Sequence, residues 1–376
     1  MKMLLNRRGQ AVFAFTLVIG LSLIAAAQSG RVQGKPTPTP VDDTVRISTE
    51  EIKLNVLAFD ESGGFFRDVK ADDIVITENN VLHQPASVRW LPASVLIVMD
   101  TGGEMRSVKT LEQTRRVARG VIESLRAGDS VAIMTYSDKA EIVGEWTSDK
   151  AEELAAVKRT NFGRRSVFVD ALRVATDFMS KGEIQNKHIV LISDGTDSGG
   201  RSSAKFDAIQ RLTATDITVH VLSYTALESV DIEPRTKAIS NSPPPKAMPD
   251  EVVNQLPNDV KIAATRPKVG PTISLDKTLI NTLKARKADL EKSQAQLEKL
   301  AENTNGEFIL PATVDEMAEK SALVSRMIDS SYVVTYVPKI PVVETRGIAE
   351  RNIDVSSKRP GLIVQARRKL LIPKAN

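Results

Sequence analysis

Residues 95–105 read Val-Leu-Ile-Val-Met-Asp-Thr-Gly-Gly-Glu-Met, an apolar run that ends in a carboxylate and two glycines. A short continuous apolar run bounded by turn residues predicts a buried strand. This strand would deliver Asp100 to one edge of a sheet. Because ligands of open α/β sheets bind at the carboxyl ends of the strands, Asp100 is a candidate site residue.

A second stretch repeats this arrangement. Residues 188–197 read His-Ile-Val-Leu-Ile-Ser-Asp-Gly-Thr-Asp, so a second predicted strand ends at Asp194. From about Ala93 onward, such runs alternate with apolar residues at three- and four-residue steps, which predicts βαβ units and a mostly parallel sheet. The carboxyl ends of parallel strands share one edge, so we expect Asp100 and Asp194 to converge there.

These two strand ends, with the segment Arg-Ser-Val-Phe-Val-Asp between them, resemble the von Willebrand factor A domain. The metal-ion-dependent adhesion site of that domain combines an Asp-x-Ser-x-Ser strand end, a Thr before a helix, and an Asp-Gly strand end. Here Asp100 matches the first Asp, Ser166 stands at the place of the Thr, and Asp194 matches the last Asp. The resemblance implies a doubly wound α/β fold with this site at the carboxyl edge.

Two residues depart from the adhesion-site pattern, since Gly102 and Glu104 occupy the places of the two serines. In the resembled family, a bound Mg²⁺ or Ca²⁺ ion keeps one coordination position open for an acidic side chain of the partner. Either Asp100, Glu104 and Asp194 hold a metal and block that position, or no metal binds and Glu104 lies in a first helical turn, where the helix dipole favours an anion. Because three carboxylates repel one another, we expect weak or absent divalent metal binding, and no other cofactor is indicated.

Other residues at this edge have two interpretations each. Ser166 either ligates a metal or caps a helix. Arg164 and Arg165 could bind anions, although such pairs usually face solvent. Asp197 could extend the acidic cluster or fill a turn. The candidates for a surface that contacts a partner are therefore Thr101, Gly102, Gly103, Arg164, Arg165 and Asp197.

Two further helices are predicted in the domain. Apolar residues from Met105 to Leu125 recur at helical spacing, which predicts a helix that begins directly after Glu104. Leucines between residues 279 and 300 mark one side of a charged helix, and Asn305-Gly306 supplies a left-handed residue that ends it.

Composition and the periodicity of apolar residues divide the chain into segments. Basic residues, an apolar run and three alanines in residues 1–27 predict an export signal peptide, with a retained membrane anchor as the alternative. The predicted order is a signal peptide at 1–27, a Pro/Thr-rich linker at 28–44, a small antiparallel β module at 45–92, a von Willebrand factor A-like domain at 93–340 and a C-terminal β extension at 341–376. Prolines predict a disordered insertion at about 231–271. The β module and the Tyr-x-x-x-Tyr-x-Pro run from Tyr332 are similar to the acidobacterial-type group of exported bacterial proteins with this domain.

Composition also narrows the classes of function. The chain is 41% hydrophobic and 26% charged, which is typical of a globular protein with a sizeable core. Removing residues 1–27 takes away three positive charges and no negative ones, so the net charge falls from +4 to +1 and indicates no nucleic-acid partner. The chain has no cysteine, which excludes thiol catalysis and thiolate metal sites. Its three histidines are scattered and are interpreted as structural.

These observations predict an exported, non-enzymatic interaction protein that binds another protein or a component of the cell envelope, located in the periplasm, in the envelope or outside the cell. The chain offers no nucleophile paired with a base and no phosphate-binding glycine loop. The alternative is a metal-dependent envelope enzyme or transport-linked subunit that uses Asp100, Glu104 and Asp194. A mainly structural role at the membrane is a third reading, favoured if the N-terminal segment is retained.

The order of basic, apolar and small residues predicts cleavage near Gln28. N-terminal sequencing of the protein recovered from the envelope fraction should therefore return a chain that begins close to Gln28. Recovery of Met1 would support the membrane anchor instead.

Overall fold

The computed structural model describes residues 51–103, 108–182, 184–199, 202–244, 253–254, 256–265, 269–340 and 349–372. The predicted signal peptide, the predicted linker and Glu104 lie outside the described residues, as do parts of the predicted insertion at 231–271. The predicted domain boundaries stay predictions.

The strands in chain order are β1 (Ile52–Phe59), β2 (Ile74–Glu78), β3 (Val81–His83), β4 (Pro85–Arg89), β5 (Ser94–Asp100), β6 (Ser130–Tyr136), β7 (Ala140–Thr147), β8 (Lys187–Ser193), β9 (Thr218–Ser223), β10 (Ile239–Ser240), β11 (Thr272–Ile273), β12 (Phe308–Ile309), β13 (Ser331–Tyr336), β14 (Ala349–Ser357), β15 (Ile363–Ala366) and β16 (Lys369–Ile372). The helices are α1 (Leu111–Ser124), α2 (Lys150–Arg159), α3 (Phe168–Met179), α4 (Ser202–Thr213), α5 (Thr225–Ile232), α6 (Asn258–Thr265), α7 (Lys277–Asn303) and α8 (Val314–Asp329). Short 3₁₀ turns span Ala71–Asp73 and Glu233–Thr236.

A six-stranded sheet forms the centre of the fold, in the order β12-β9-β8-β5-β6-β7. All neighbouring pairs are parallel except β6 and β7. Helices α1, α2 and α8 cover one face, and α3, α4 and the second half of α7 cover the other. Because β5 is buried on both faces, its sequence is a continuous apolar run. This arrangement confirms the predicted α/β fold with a mostly parallel sheet.

Two antiparallel four-stranded sheets form a β-sandwich, in the orders β15-β1-β13-β4 and β16-β14-β2-β3. Both sheets contribute to one apolar core, which includes Val56, Ile76, Val334 and Ile353. This confirms an antiparallel β module, but both ends of the chain build it. Strand β13, which the sequence places with the α/β domain, lies between β1 and β4.

The β-sandwich packs on the amino edge of the parallel sheet through buried polar contacts. Asn55 Nδ2 donates to Thr218 Oγ1 at 3.0 Å, and Asn305 Nδ2 donates to the carbonyl oxygen of Asn55 at 3.2 Å. The buried Arg367 guanidinium donates to the carbonyl oxygens of Thr215 and Ile217. The Arg367 bonds satisfy backbone acceptors just before β9, and together with the asparagine bonds they fix the sandwich against that edge.

Helix α1 begins later than the sequence predicts. The predicted start directly after Glu104 is wrong for the described part of the segment, because Thr110 is the N-cap of a helix that begins at Leu111. Thr110 Oγ1 accepts a hydrogen bond from Gln113 N, and Gln113 Oε1 accepts one from Thr110 N, so the two form a capping box. Val108 and Lys109 therefore belong to a loop.

The predicted leucine-marked helix matches α7, and Asn305 adopts a left-handed φ of 60° just after it, as expected. In the predicted insertion at 231–271, the described residues include β10 and α6, and β10 pairs with β11 just beyond it. Among the described residues, no helix combines the length and apolar character that a membrane span needs.

Two stacked histidines are buried in neighbouring strands of the parallel sheet, His188 in β8 and His220 in β9. Glu307 N donates to His220 Nδ1 at 3.1 Å, which leaves His220 Nε2 to donate to His188 Nδ1 at 3.2 Å. His188 Nε2 then donates to Asn186 Oδ1 at 2.9 Å. This chain of bonds requires both imidazoles to be neutral.

The histidine pair predicts acid sensitivity of the fold. Burial holds the pKa of His188 well below its usual range and lowers the pKa of His220 to about 3 from 6.5. The unfolded chain therefore binds more protons than the folded protein below pH 6.5. The stability that the neutral pair contributes is fully present above that pH and is lost as the pH falls toward 3. Urea denaturation should show a loss of about 2 kcal/mol per histidine between about pH 6.5 and 5.

A His188→Leu/His220→Leu variant serves as the control for this prediction, because it lacks both titrating rings. Its free energy of unfolding should change less over the same pH interval. An equal pH dependence in both proteins would contradict the assignment.

Candidate functional site

Asp100 and Asp194 converge on one buried ammonium group at the carboxyl edge of the sheet. Asp100 ends β5, and Asp194 directly follows the neighbouring strand β8. Lys109 Nζ lies 2.7 Å from Asp100 Oδ2 and 2.8 Å from Asp194 Oδ2. All three side chains are 5% exposed or less. The expected convergence of the two carboxylates is therefore present, with a lysine between them.

The remaining oxygens of the two carboxylates are held by their own loops. Asp100 Oδ1 accepts from Gly102 N at 3.2 Å. Asp194 Oδ1 accepts from Thr196 N at 2.7 Å and from Thr196 Oγ1 at 2.6 Å. Each Oδ1 atom thus fixes the carboxylate plane, and each Oδ2 atom points to the shared ammonium group.

A second cation approaches from helix α7. Arg286 Nη2 lies 3.2 Å from Asp194 Oδ2 and 2.8 Å from Glu228 Oε2. Arg286 Nη1 donates to Thr196 Oγ1 at 2.9 Å. Glu228 is itself buried on α5. The cluster therefore contains three carboxylates and two cations.

The two aspartates differ in acidity although they share Lys109. Burial raises the pKa of Asp100 to about 6, since Lys109 offsets only part of this effect and Asp194 adds repulsion. Burial also disfavours ionisation of Asp194, but Lys109 and Arg286 outweigh it and hold that pKa well below its usual range. Burial opposes the charge on Lys109, yet the surrounding carboxylates raise its pKa above the ordinary value.

Glu228 is the group of this cluster that carries a proton near neutral pH. Burial and the Asp194 carboxylate raise its pKa to about 7. A side-chain hydrogen bond links Glu228 to Asp194 and favours protonated Glu228 with ionised Asp194. The two cations then face two carboxylate charges, so the buried cluster is close to neutral.

Gly102 leaves no space for the serine that the adhesion-site pattern has at this place. A Cβ atom at Gly102 would lie 1.8 Å from the carbonyl oxygen of Arg165 and 2.7 Å from Ser137 Cα. Gly103 N donates to the same Arg165 oxygen at 2.9 Å. A side chain at position 102 would therefore push the loop around Arg165 away.

Ser166 and Asp197 have structural contacts beside the cluster. Ser166 Oγ donates to the carbonyl oxygen of Thr196 at 3.2 Å. The alternative that Ser166 caps a helix is wrong, because α3 has Val167 as its N-cap. Asp197 Oδ1 instead accepts from Val169 N at 3.1 Å, so Asp197 holds the start of that helix.

The other predicted contact residues differ in exposure. Thr101 and Gly102 are buried, and Gly103 is half-buried. Arg164 and Arg165 are exposed, while their backbone N–H groups donate to the carboxylate of Asp138. An open cavity of about 560 Å³ lies at this loop, lined by Gly103, Asp138, Phe162, Gly163 and Arg164.

The described residues do not fit the metal centre that the resemblance implies. An ammonium group fills the position between the two carboxylates, and Gly102 supplies no hydroxyl. Within the described ranges, no three His, Cys, Asp or Glu side chains are grouped to hold a metal ion. Glu104, the third predicted acidic ligand, lies outside those ranges.

Three residues of the cluster were not predicted from the sequence. Lys109 belongs to a loop that the apolar pattern assigns to a helix. Arg286 is one of many cations on the exposed part of α7, and Glu228 lies in a short helix without a distinctive spacing. None of the three carries a local sequence signal.

Residues 95–196 match the family described as the von Willebrand factor type A domain. The matched range begins in β5 and includes Asp100, Lys109 and Asp194. The chain therefore contains a von Willebrand factor type A domain, as the resemblance implied. No curated protein matches the sequence.

The solved structures that are similar to this chain include the following three. An aerotolerance-related membrane protein from Bacteroides fragilis is 16% identical, with 63% of this chain and 98% of that chain covered and a TM-score of 0.39. The conserved hypothetical protein BatB from Bacteroides thetaiotaomicron is 16% identical, with coverages of 62% and 98% and a TM-score of 0.37. A von Willebrand factor type A protein from Catenulispora acidiphila is 12% identical, with coverages of 82% and 74% and a TM-score of 0.42. The assignment of the von Willebrand factor type A domain rests on the family match over residues 95–196.

The close approach at Gly102 predicts that even one methyl group is destabilising there. Gly102→Ala should lower the free energy of unfolding by about 2 kcal/mol or more, because the methyl group meets backbone atoms. Gly199→Ala is the matched control on the same edge, since its Cβ would meet only the end of the Arg165 side chain, 3.2 Å away. Equal stabilities of the two variants in urea denaturation would contradict the packing at Gly102.

Proposed function

We propose that this protein, built on its von Willebrand factor type A domain, is an exported, non-enzymatic protein that binds another protein or an envelope component without a divalent metal ion. Domains of this type are in general protein-interaction modules. The observation that carries the metal-independent part is the double ion pair of Lys109 with Asp100 and Asp194. Because that ammonium group occupies the space between the carboxylates, an acidic partner side chain has no metal ion to bind.

The proposed contact face is the loop beside the cluster. Arg164 and Arg165 expose their side chains there, and the Asp138 carboxylate fixes the backbone of both residues. A fixed loop with two cations next to an open cavity favours an acidic surface on the partner. The contact would thus depend on these arginines instead of on a metal.

The chemistry of this edge supports a binding function over catalysis. Asp100 and Asp194 are buried and paired, and Ser166 Oγ is engaged with a backbone carbonyl. His188 and His220 form their buried pair away from this edge, and His83 lies in the β-sandwich. A hydrolytic or transfer reaction would need a base near an accessible nucleophile. Export rests on the predicted signal peptide at residues 1–27.

The test is capture of partners from an envelope fraction by the tagged mature protein. We expect the captured set to be unchanged by EDTA, because the site holds its own cation. Arg164→Glu/Arg165→Glu should weaken capture by about tenfold or more, since two attractive charges become repulsive.

The control variant Lys358→Glu/Arg368→Glu makes the same change of charge on exposed residues of the β-sandwich segment. It should bind as the unmodified protein does. Release of the partner by EDTA would contradict metal independence, and equal weakening by both double variants would contradict the proposed face.

A further inference from the structure

We infer that Lys109 is a resident cation of this domain, and that removing its ammonium group converts the Asp100–Asp194 pair into a divalent-metal site. The inference rests on the metal independence in the proposed function, but not on any partner. It concerns the described residues alone and holds whether or not the face at Arg164 binds a protein.

Both carboxylates are oriented toward one cation position. Both Oδ1 atoms are held by backbone or hydroxyl donors of their own loops, so Asp100 Oδ2 and Asp194 Oδ2 are the atoms left to face a common cation. Both lie within 2.8 Å of the same Nζ atom. Carboxylate oxygens fixed in this way are hard ligands of the kind that Mg²⁺, Mn²⁺ and Ca²⁺ prefer.

Lys109 is the cation that pairs with Asp100 among the described residues, whereas Arg286 also pairs with Asp194. Removing Lys109 therefore affects the charge of Asp100 most. A buried carboxylate without a cation either takes up a proton or recruits a cation. A divalent ion at the vacated place would face Asp100 and Asp194, and ionisation of Glu228 would balance the charge that Arg286 adds.

The Ser166 side chain supplies a further oxygen in this region. A Cβ atom at Gly103 would lie 3.9 Å from Lys109 Nζ and 3.7 Å from Ser166 Cβ, so Ser166 and the ammonium group flank the same point. The Ser166 hydroxyl donates to the Thr196 carbonyl oxygen at 3.2 Å, and its oxygen lone pairs can bind an ion directly or through a water molecule. Water would complete the shell in the space of the lysine side chain.

The experiment compares Lys109→Ala with the unmodified mature protein in thermal unfolding and calorimetric titration, using MnCl₂, MgCl₂ or CaCl₂ alone as the probe. The unmodified protein should show no change of Tm with millimolar metal. Lys109→Ala should have a lower Tm that rises on addition of metal, with a Kd of about 1 mM or tighter. The additional substitution Asp100→Asn should abolish that binding.

Lys205→Ala is the matched control. Lys205 Nζ also lies near this edge, but it donates to the carbonyl oxygen of Gly195 at 2.7 Å and to Ser293 Oγ at 3.0 Å. Its removal should lower Tm without rescue by metal, because it creates no pair of facing carboxylates. A metal rescue of Lys205→Ala equal to that of Lys109→Ala would overturn the inference.

Folding of the variant is part of the same test. If Lys109→Ala is unfolded without metal, refolding from urea with and without MnCl₂ decides the outcome, and recovery only with metal supports the inference. Failure to bind or to refold with any of the three ions would overturn it. Micromolar binding by the unmodified protein that disappears in Asp194→Ala would also overturn it. Loss of partner capture alone tests the proposed function and leaves these metal titrations unaffected.

Discussion

The ion pairs of one buried ammonium group set the constraints on this edge of the molecule. Lys109 can serve both carboxylates only because β5 and β8 are parallel neighbours in a register that brings Asp100 and Asp194 side by side. Removing one partner from such a buried pair is costly, since the remaining charge is left without compensation. The loop that precedes α1 is therefore tied to the two central strands, and the Thr110 cap keeps Lys109 out of the helix.

The sequence predicts the site residues whose positions are set by their own strand. Asp100 and Asp194 follow apolar strands directly, so their positions depend only on the burial of the strand and the direction of the sheet. Lys109 and Arg286 have long side chains that arrive from a loop and from a distant helix, and their contacts depend on tertiary packing. The apolar residues Met105 and Val108 extend the helical pattern past the true N-cap, which explains why the sequence places Lys109 on a helix.

The β-sandwich makes the two edges of the parallel sheet unequal. Asn55 and Arg367 bind groups that precede or begin β9, and Trp90 Nε1 donates to the carbonyl oxygen of Asp329 at the end of α8. These contacts lie at the amino edge, where the strands begin. The predicted domain range of 93–340 includes β13, but its pairing with β1 places it in the sandwich. The carboxyl edge, which carries Asp100 and Asp194, is the face that we propose for contact with a partner.

A lysine at this place changes what the edge can recognise. A divalent ion exchanges water and can accept a carboxylate from outside, whereas an ammonium group has three donors and two of them already serve Asp100 and Asp194. At 5% exposure, the Lys109 side chain is also too deep for a protein surface to reach. In the contact that we propose, recognition comes from groups above the cluster, and its strength is independent of the concentration of divalent ions. Ionic strength is then the relevant variable, because Arg164 and Arg165 are exposed charges that salt screens.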